Sequence, residues 1–481
     1  MLDPARWGLP AEAVARLGDD LRAYWEHFRP CFCTRTHDTS ENAYVYLRGL
    51  LTLEEARNFA NIERRLTGGD GQTLQQFMSD SPWAGPKVFQ QLQTEIAAHP
   101  ALQHGGVAIL DDTADAKAGP GSIGASRQRN GRLGKVDLCV ATTGLAYAHP
   151  ATCSWALVDA ELFLAKEWFT PAFAKRRKRL GLPADRTFAT KLDLGLQMIR
   201  RARVQGLPFE LVACDDSYGR SRAFRAALDA DNLVYAAEVP GNTQVYLKPP
   251  KIGLPRRRHK RGRKPTRLKV VSRQRPHEVR QLARSSSLTW ERVMLRHTER
   301  GTLTADFAVR RVWTLTEALQ VRAEWRVIRR DLDGRSTFVL LNAPADTPPA
   351  VLRERSCQRY FTERVYQDAK SETGWDDFQA QKYRAWEHAV ALTAAALWFV
   401  ADVKLTWRET YARDPLLLEQ FELQVLPALS TANVRDLLQA VLPVPHLTPQ
   451  QARELVVKHL VNRARSTRSR LRRQHDHMGA T

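Results

Sequence analysis

Carboxylates that can meet around a divalent cation are the first feature to follow in this 481-residue chain. Glu363 lies in VLRERSCQRYFTERVYQDAKSETG (351–374), which reads as one helix between Pro349 and Gly374. At about 100° per residue, Ser356, Arg359, Glu363 and Lys370 share a face, while Phe361 and Val365 point the other way. A carboxylate flanked by two cations suits metal-dependent phosphoryl transfer: the acid holds the metal, and Arg and Lys hold phosphates. The commoner reading of such a face is a solvated one, with an Arg359–Glu363 pair worth a few tenths of a kcal/mol. Two distant aspartate pairs shift that balance. GGVAILDDT ends in Asp111 and Asp112, and FELVACDDSYG delivers Asp215 and Asp216. Each pair closes an apolar strand, where open α/β sheets place their sites, although Asp at a strand end also serves as a turn or cap residue.

Three acids brought together by a sheet and a helix can hold two divalent cations. One activates a water or a 3′-hydroxyl, and the other stabilises the departing oxygen of a phosphodiester. Hard oxygen ligands favour Mg²⁺, with Mn²⁺ as a substitute. Cys31-x-Cys33 is the only close pair among six cysteines, so there is no zinc set, and a reduced cytoplasmic protein is expected. The charge agrees with a polyanionic substrate: 73 basic against 52 acidic residues give +21, which points to nucleic acid. A membrane role is not expected. The longest apolar run, 389–401, is too short to cross a bilayer, and MLDPARWGLP has no signal-peptide pattern.

The elements that must position these acids follow from pattern. Residues 1–100 read as helical, with Thr52-x-x-Glu55 as a capping box and helices over 74–79 and 87–98; a DNA-end-binding role is one reading of this region. Three apolar strands follow, with a glycine-rich loop carrying Arg127, Arg129 and Lys135 after the first. KRRKR (175–179) reads as an exposed basic turn. A helix over 191–205 precedes the Asp215 strand, and helix 221–230 and strand 233–238 come after it. From Lys251 to Arg275 there are twelve Lys/Arg and no acid, the pattern of a mobile arm that touches phosphate. Strand-like runs with an Asp333-Gly334 turn lead back to the Glu363 helix. The end is helical, with a basic tail.

These motifs resemble those of bacterial insertion-sequence transposases of the DDE type, in the branch with a β-rich insertion between the second aspartate and the glutamate. The residues that carry the resemblance are LDDT (110–113), Ser126 to Asp137, CDDSYG (214–219) and ERVYQDAKSETGW (363–375). The family's signature of Tyr, Arg, Glu and Lys falls on Ser356, Arg359, Glu363 and Lys370, so the tyrosine is replaced. The resemblance implies Asp112, Asp215 and Glu363 as catalytic metal ligands, with Asp111 and Asp216 as their alternates. It also implies an RNase H-like fold, cleavage at transposon terminal inverted repeats, strand transfer into a target duplex, and a homodimer that pairs two ends. Some relatives hold a flipped base on a tryptophan of the insertion; Trp290, Trp313 and Trp325 are candidates, each equally readable as core of the inserted sheet, and none is assigned.

The expected architecture is α/β: an RNase H-like core interrupted by a β-rich insertion, with helical N- and C-terminal regions. Its divisions are 1–100 (helical), 101–245 (first core part), 246–345 (insertion), 346–405 (second core part) and 406–481 (helical, basic tail). DNA contacts are expected from Arg359, Lys370, Arg127, Lys135, Arg256, Arg257, Arg258 and Lys260. A catalytically inactive DNA-binding descendant and another RNase H-like nuclease are the rival functions.

Overall fold

The computed structural model of the protein describes residues 3–131, 133–256, 265–286, 288–298, 301–378 and 380–478. Five helices open the chain: α1 (Ala11–Phe28), α2 (Ser40–Thr52), α3 (Phe59–Thr67), α4 (Gln72–Ser79) and α5 (Gly85–Ala98). In α1, Leu17, Leu21, Trp25 and Phe28 recur at helical spacing and are all fully buried. The expected capping box is displaced. Thr52 is the last residue of α2, and its hydroxyl donates back to Arg48 O; Asn58 caps α3 instead, accepting from Asn61 N.

The central part alternates between sheet and helix. β1 (Gly106–Ala116), β2 (Ser126–Asn130), β3 (Lys135–His149) and β4 (Ser154–Phe163) form an antiparallel set. Then come α6 (Ala174–Leu180), α7 (Lys191–Val204), β5 (Phe209–Cys214), α8 (Asp216–Gly219), α9 (Arg222–Ala230) and β6 (Tyr235–Glu238). β5 runs parallel to β1 and β6 parallel to β5, so the core order is β4-β3-β1-β5-β6, the topology expected of an RNase H-like core. Two readings of loops are corrected here. Part of the glycine-rich stretch is strand β2, on the β3 edge that β4 also uses, and KRRKR forms helix α6, with Arg176 over the Trp168 ring.

The insertion contributes α10 (Val279–Leu282) and strands β7 (Glu291–Thr298), β8 (Gly301–Leu315), β9 (Val321–Asp331) and β10 (Ser336–Leu341). These strands continue the core sheet: β10 pairs antiparallel with β6, giving ten strands in one sheet. The basic arm begins as a short ladder of Ile252–Gly253 on Lys269–Val270, with Arg256 exposed beyond it. Arg257, Arg258 and Lys260 lie outside the described residues.

The single helix expected over 351–374 is two: α11 (Pro349–Ser356) and α12 (Tyr360–Ser371). Arg359 is therefore the N-cap residue of α12, and Ser356 belongs to the preceding helix. α13 (Tyr383–Thr410) follows, then α14 (Leu416–Gln420), α15 (Thr431–Val441) and α16 (Pro449–Met478). α13 has 28 residues, long and apolar enough to cross a membrane, but 83% of its apolar window is buried inside the protein. It is the central helix of the core, packed on α2, α5 and β4. The basic tail is the distal part of α16.

Candidate active site

Strand register assembles the acidic row. Leu110 pairs with Cys214, and Cys214 with Ala237, so the next residues, Asp111, Asp215 and Glu238, stand level on three adjacent parallel strands. Asp215 leaves its strand as the N-cap of α8, accepting from Ser217 N (3.0 Å) and Tyr218 N (3.3 Å). Gly219 makes room for this turn: a Cβ there would lie 1.8 Å from Glu238 O.

Helix α12 lies over the same row. Arg359 donates to Asp111 Oδ2 (3.2 Å) and Glu363 Oε1 (2.7 Å), and its Nε lies 3.1 Å from Glu238 Oε1. Tyr366 donates to Asp111 O (3.0 Å), reaching across β3 at Gly144, where a Cβ would lie 2.2 Å from the hydroxyl. Lys370 donates to Asp115 Oδ1 (2.9 Å), whose other oxygen accepts from Trp375 Nε1 (2.8 Å). Asp111 and Asp115 therefore share the α12 side of β1, as alternate residues of a strand must.

Asp112 has different partners. It accepts from Thr143 Oγ1 (2.9 Å), Tyr218 OH (2.8 Å) and Lys191 Nζ (2.9 Å), the last at the start of α7. The expected first ligand is thus held by three donors on the cleft wall, with its charge bearing on Asp215, while its alternate Asp111 stands beside Arg359. The physical reason is the two-residue period of a strand, which turns neighbouring carboxylates apart.

Burial and like charge strain the row. Asp111 is pushed up to about 7, chiefly by burial, with the Asp215 charge adding and Arg359 opposing. Asp215 and Glu238 are raised too, in both cases mainly by burial. Burial works against the Arg359 charge, but Glu238, Asp111 and Glu363 outweigh it and hold the guanidinium firmly protonated. Glu363, more than half exposed, stands at the lip. Asp111, Asp215, Arg359 and Glu363 line a cleft of about 1100 Å³ with Asp112, Arg129, Lys191, Asp216, Ser217, Gln367 and Asp376, and Glu238 stands behind them.

The donor set is all hard carboxylate oxygen, which fits Mg²⁺ or Mn²⁺ and not zinc. A divalent cation would also relieve the like-charge strain around Asp111. No group of three or more His, Cys, Asp or Glu among the described residues already has metal-holding geometry. The Arg359 guanidinium spans Asp111, Glu238 and Glu363.

Of the expected DNA contacts, Arg359 is paired with Asp111 of the cleft and Lys370 with Asp115 farther along β1. Arg127 and Lys135 are exposed on the β2–β3 hairpin, outside the cleft lining, which takes Arg129 instead. Trp290 lies under the Arg330 guanidinium, Trp313 pairs its backbone with Tyr246, and Trp325 donates to Pro344 O; none lines the cleft. Sequence reasoning missed Glu238, Asp115, Lys191, Tyr218 and Tyr366. The signal for Glu238 was an acid closing a third apolar strand, as Asp111 and Asp215 do.

Residues 27–302, more than half of the chain, match the family described as DDE superfamily endonuclease. The chain is 23% identical over 349 residues to a probable transposase for insertion sequence element IS701 from Microchaete diplosiphon, across 72% of this chain and 78% of that protein. It is also similar to a cryo-EM structure of the piggyBac transposase in a synaptic complex with hairpin DNA. There the match covers 92% of this chain and 84% of that one, with 9% identity and a TM-score of 0.34, too distant a likeness to establish a shared fold.

Proposed function

The chain belongs to the DDE superfamily of endonucleases and is a DNA transposase of that family, and from this premise we propose that the cleft under α12 cuts transposon ends and joins them to target DNA. The observation that carries the reading is the level row of Asp111 and Asp215 on adjacent parallel strands, with Glu363 on the helix above. The family implies a divalent metal ion, and the all-oxygen donors favour Mg²⁺, with Mn²⁺ as substitute. Asp111, Asp215 and Glu363 are the ligands in this reading, and Asp111 takes the role first expected of Asp112. Bound there, the metal would supply Lewis acidity at the scissile phosphodiester.

The protein's own groups do the rest. Asp215 is fixed by the α8 backbone and Asp111 by strand pairing, so both are preorganised. Asp112, held by Lys191, Tyr218 and Thr143, braces the cleft wall beside Asp111. Arg359 must release Glu363 for the ligand set to close, and a DNA phosphate is a natural new partner for the freed guanidinium. Arg129 on the cleft wall is placed for a backbone phosphate. A homodimer pairing two ends, in the cytoplasm, belongs to the same proposal.

The test uses purified protein and duplexes ending in the inverted repeats that flank its gene. Metal-dependent nicking and joining of the 3′-hydroxyl to a second duplex are expected. D111N, D215N and E363Q should abolish both while still binding DNA, whereas D112N should lose about 10–100-fold, as a supporting residue does. Nicking without joining would make the protein a nuclease, and neither would make it an inactive descendant. Full activity in D111N with none in D112N would reverse the assignment of the first ligand.

A further inference from the structure

The last helix is unlike the others. α16 has 30 residues, and Asn462 moors it by donating to Asp70 Oδ2 (2.9 Å), ahead of α4. Beyond that point every described side chain from 463 to 472 is exposed. From 455 to 475 there are seven Lys/Arg and no acid, so cations stand three and four residues apart along the helix without relief. Such like-charge spacing destabilises an isolated helix, and a stretch of this length is marginal in water without a partner.

The arrangement around the helix identifies the partner. At about 100° per residue, Ala464, Thr467 and Leu471 fall on one narrow stripe. Arg465, Arg468 and Arg472 run along one flank of that stripe, and Arg463 lies on the other. Small and apolar groups between two cationic edges match the major groove of a DNA duplex, which admits an α-helix. Its two phosphate backbones form the walls, and its base edges, including thymine methyls, form the floor. The segment beyond Asn462 spans about 24 Å at 1.5 Å per residue, well within one helical turn of DNA of about 34 Å.

We propose that the distal part of α16 is a DNA-binding element that lies in the major groove of a duplex, gripping both backbones through Arg463 and the Arg465–Arg468–Arg472 flank. This rests on the reading of the protein as a DNA transposase and adds to it a recognition surface separate from the cleft. Electrostatics alone would bind any duplex; Leu471, Thr467 and Ala464 are the groups placed to add a preference for thymine.

The experiment measures affinity of the full-length protein for a duplex against salt, for wild type, R465Q/R468Q/R472Q, S469A and L471E. The triple variant should keep its fold and thermal midpoint, and its salt slope should fall by about 2.7, or 0.9 per lost phosphate contact. L471E should weaken binding, and S469A, on the back of the helix, should match wild type. A major-groove ligand should displace the wild-type protein and a minor-groove ligand should not. An unchanged slope in the triple variant, with wild type still binding and nicking DNA, overturns this inference and leaves the transposase reading intact. A wild-type protein that binds no duplex brings down both. If L471E alters sedimentation and not DNA affinity, the stripe belongs to a second copy of the chain and the inference falls.

Discussion

Removing the Arg359 guanidinium would leave Asp111 and Glu238 largely buried side by side, with only the more distant Arg329 charge to offset Glu238. Breaking a buried pair from one side costs about 3–5 kcal/mol, so R359Q should be destabilised by an amount of that order in urea unfolding. Mg²⁺ or Mn²⁺ should then raise the thermal midpoint of R359Q more than that of wild type, because the acids are free to take it. Equal metal-free stability of the two proteins would show that Arg359 is not what holds the row together. His388 offers a pH test far from the cleft. It is fully buried, stacked on Trp83 at 3.5 Å with Nε2 2.8 Å from Trp83 O, and burial pushes its pKa down to about 3. Arg384 on the same helix adds to the depression, and the carbonyls of Trp83, Met78 and Phe77 oppose it. The unfolded chain takes up a proton below about 6.5, and the folded one does not until about 3. Stability should therefore be lost as pH falls through this window, by up to about 1.4 kcal/mol per unit. H388Q should show a flatter profile in pH-dependent denaturation; parallel profiles would mean that His388 is protonated in the fold.

At the scale of elements, the turn from β5 into α8 positions a ligand, and it depends on one close approach. Gly219 sits where any side chain would strike the Glu238 carbonyl, a backbone atom that cannot swing away. G219A should cost about 1–3 kcal/mol as an overpacked site and shift Asp215 as well. Thermal unfolding and metal-dependent nicking should both fall; an unaltered protein would mean that α8 tolerates displacement. CDDSYG was legible as a motif, and its glycine acquires a reason only when β6 is laid beside α8. The break between α11 and α12 was not legible. The stretch 356–363 contains no Gly or Pro, and the helix divides because two packing faces have to be served. Leu352 of α11 is buried beside strands of the insertion, and Val365 and Ala369 of α12 are buried over β1, β3 and β4.

Across the whole molecule, the insertion is part of the sheet that builds the site. β10 covers the open edge of β6, pairing Val339 with Glu238 and Leu341 with Ala236. Excising residues 246–345 and closing the gap should therefore expose that edge and loosen Glu238 and Arg359 with it. Aggregation or loss of cooperative unfolding is expected, read by sedimentation and circular dichroism. A soluble truncated protein with a sharp transition would show that the core sheet is complete without β7–β10.

The sequence alone determined most of the long elements, the α/β order and the positions where acids close strands, because these depend on local periodicity and turn chemistry. It also carried the family, through motifs that span most of the chain. What it could not determine was which of two neighbouring aspartates faces the glutamate. Both Asp111 and Asp112 are equally compatible with the strand itself, and only the fold sets Asp111 beside Arg359 under α12 and Asp112 beside Lys191 and Tyr218. The roles of Arg359 and Lys370 were open for the same reason. Their spacing suggested free cations for phosphate, and only packing of α12 onto the strands joined them to Asp111, Glu238 and Asp115. Contacts between residues more than two hundred positions apart leave no trace in local pattern, so the tertiary structure had to decide them.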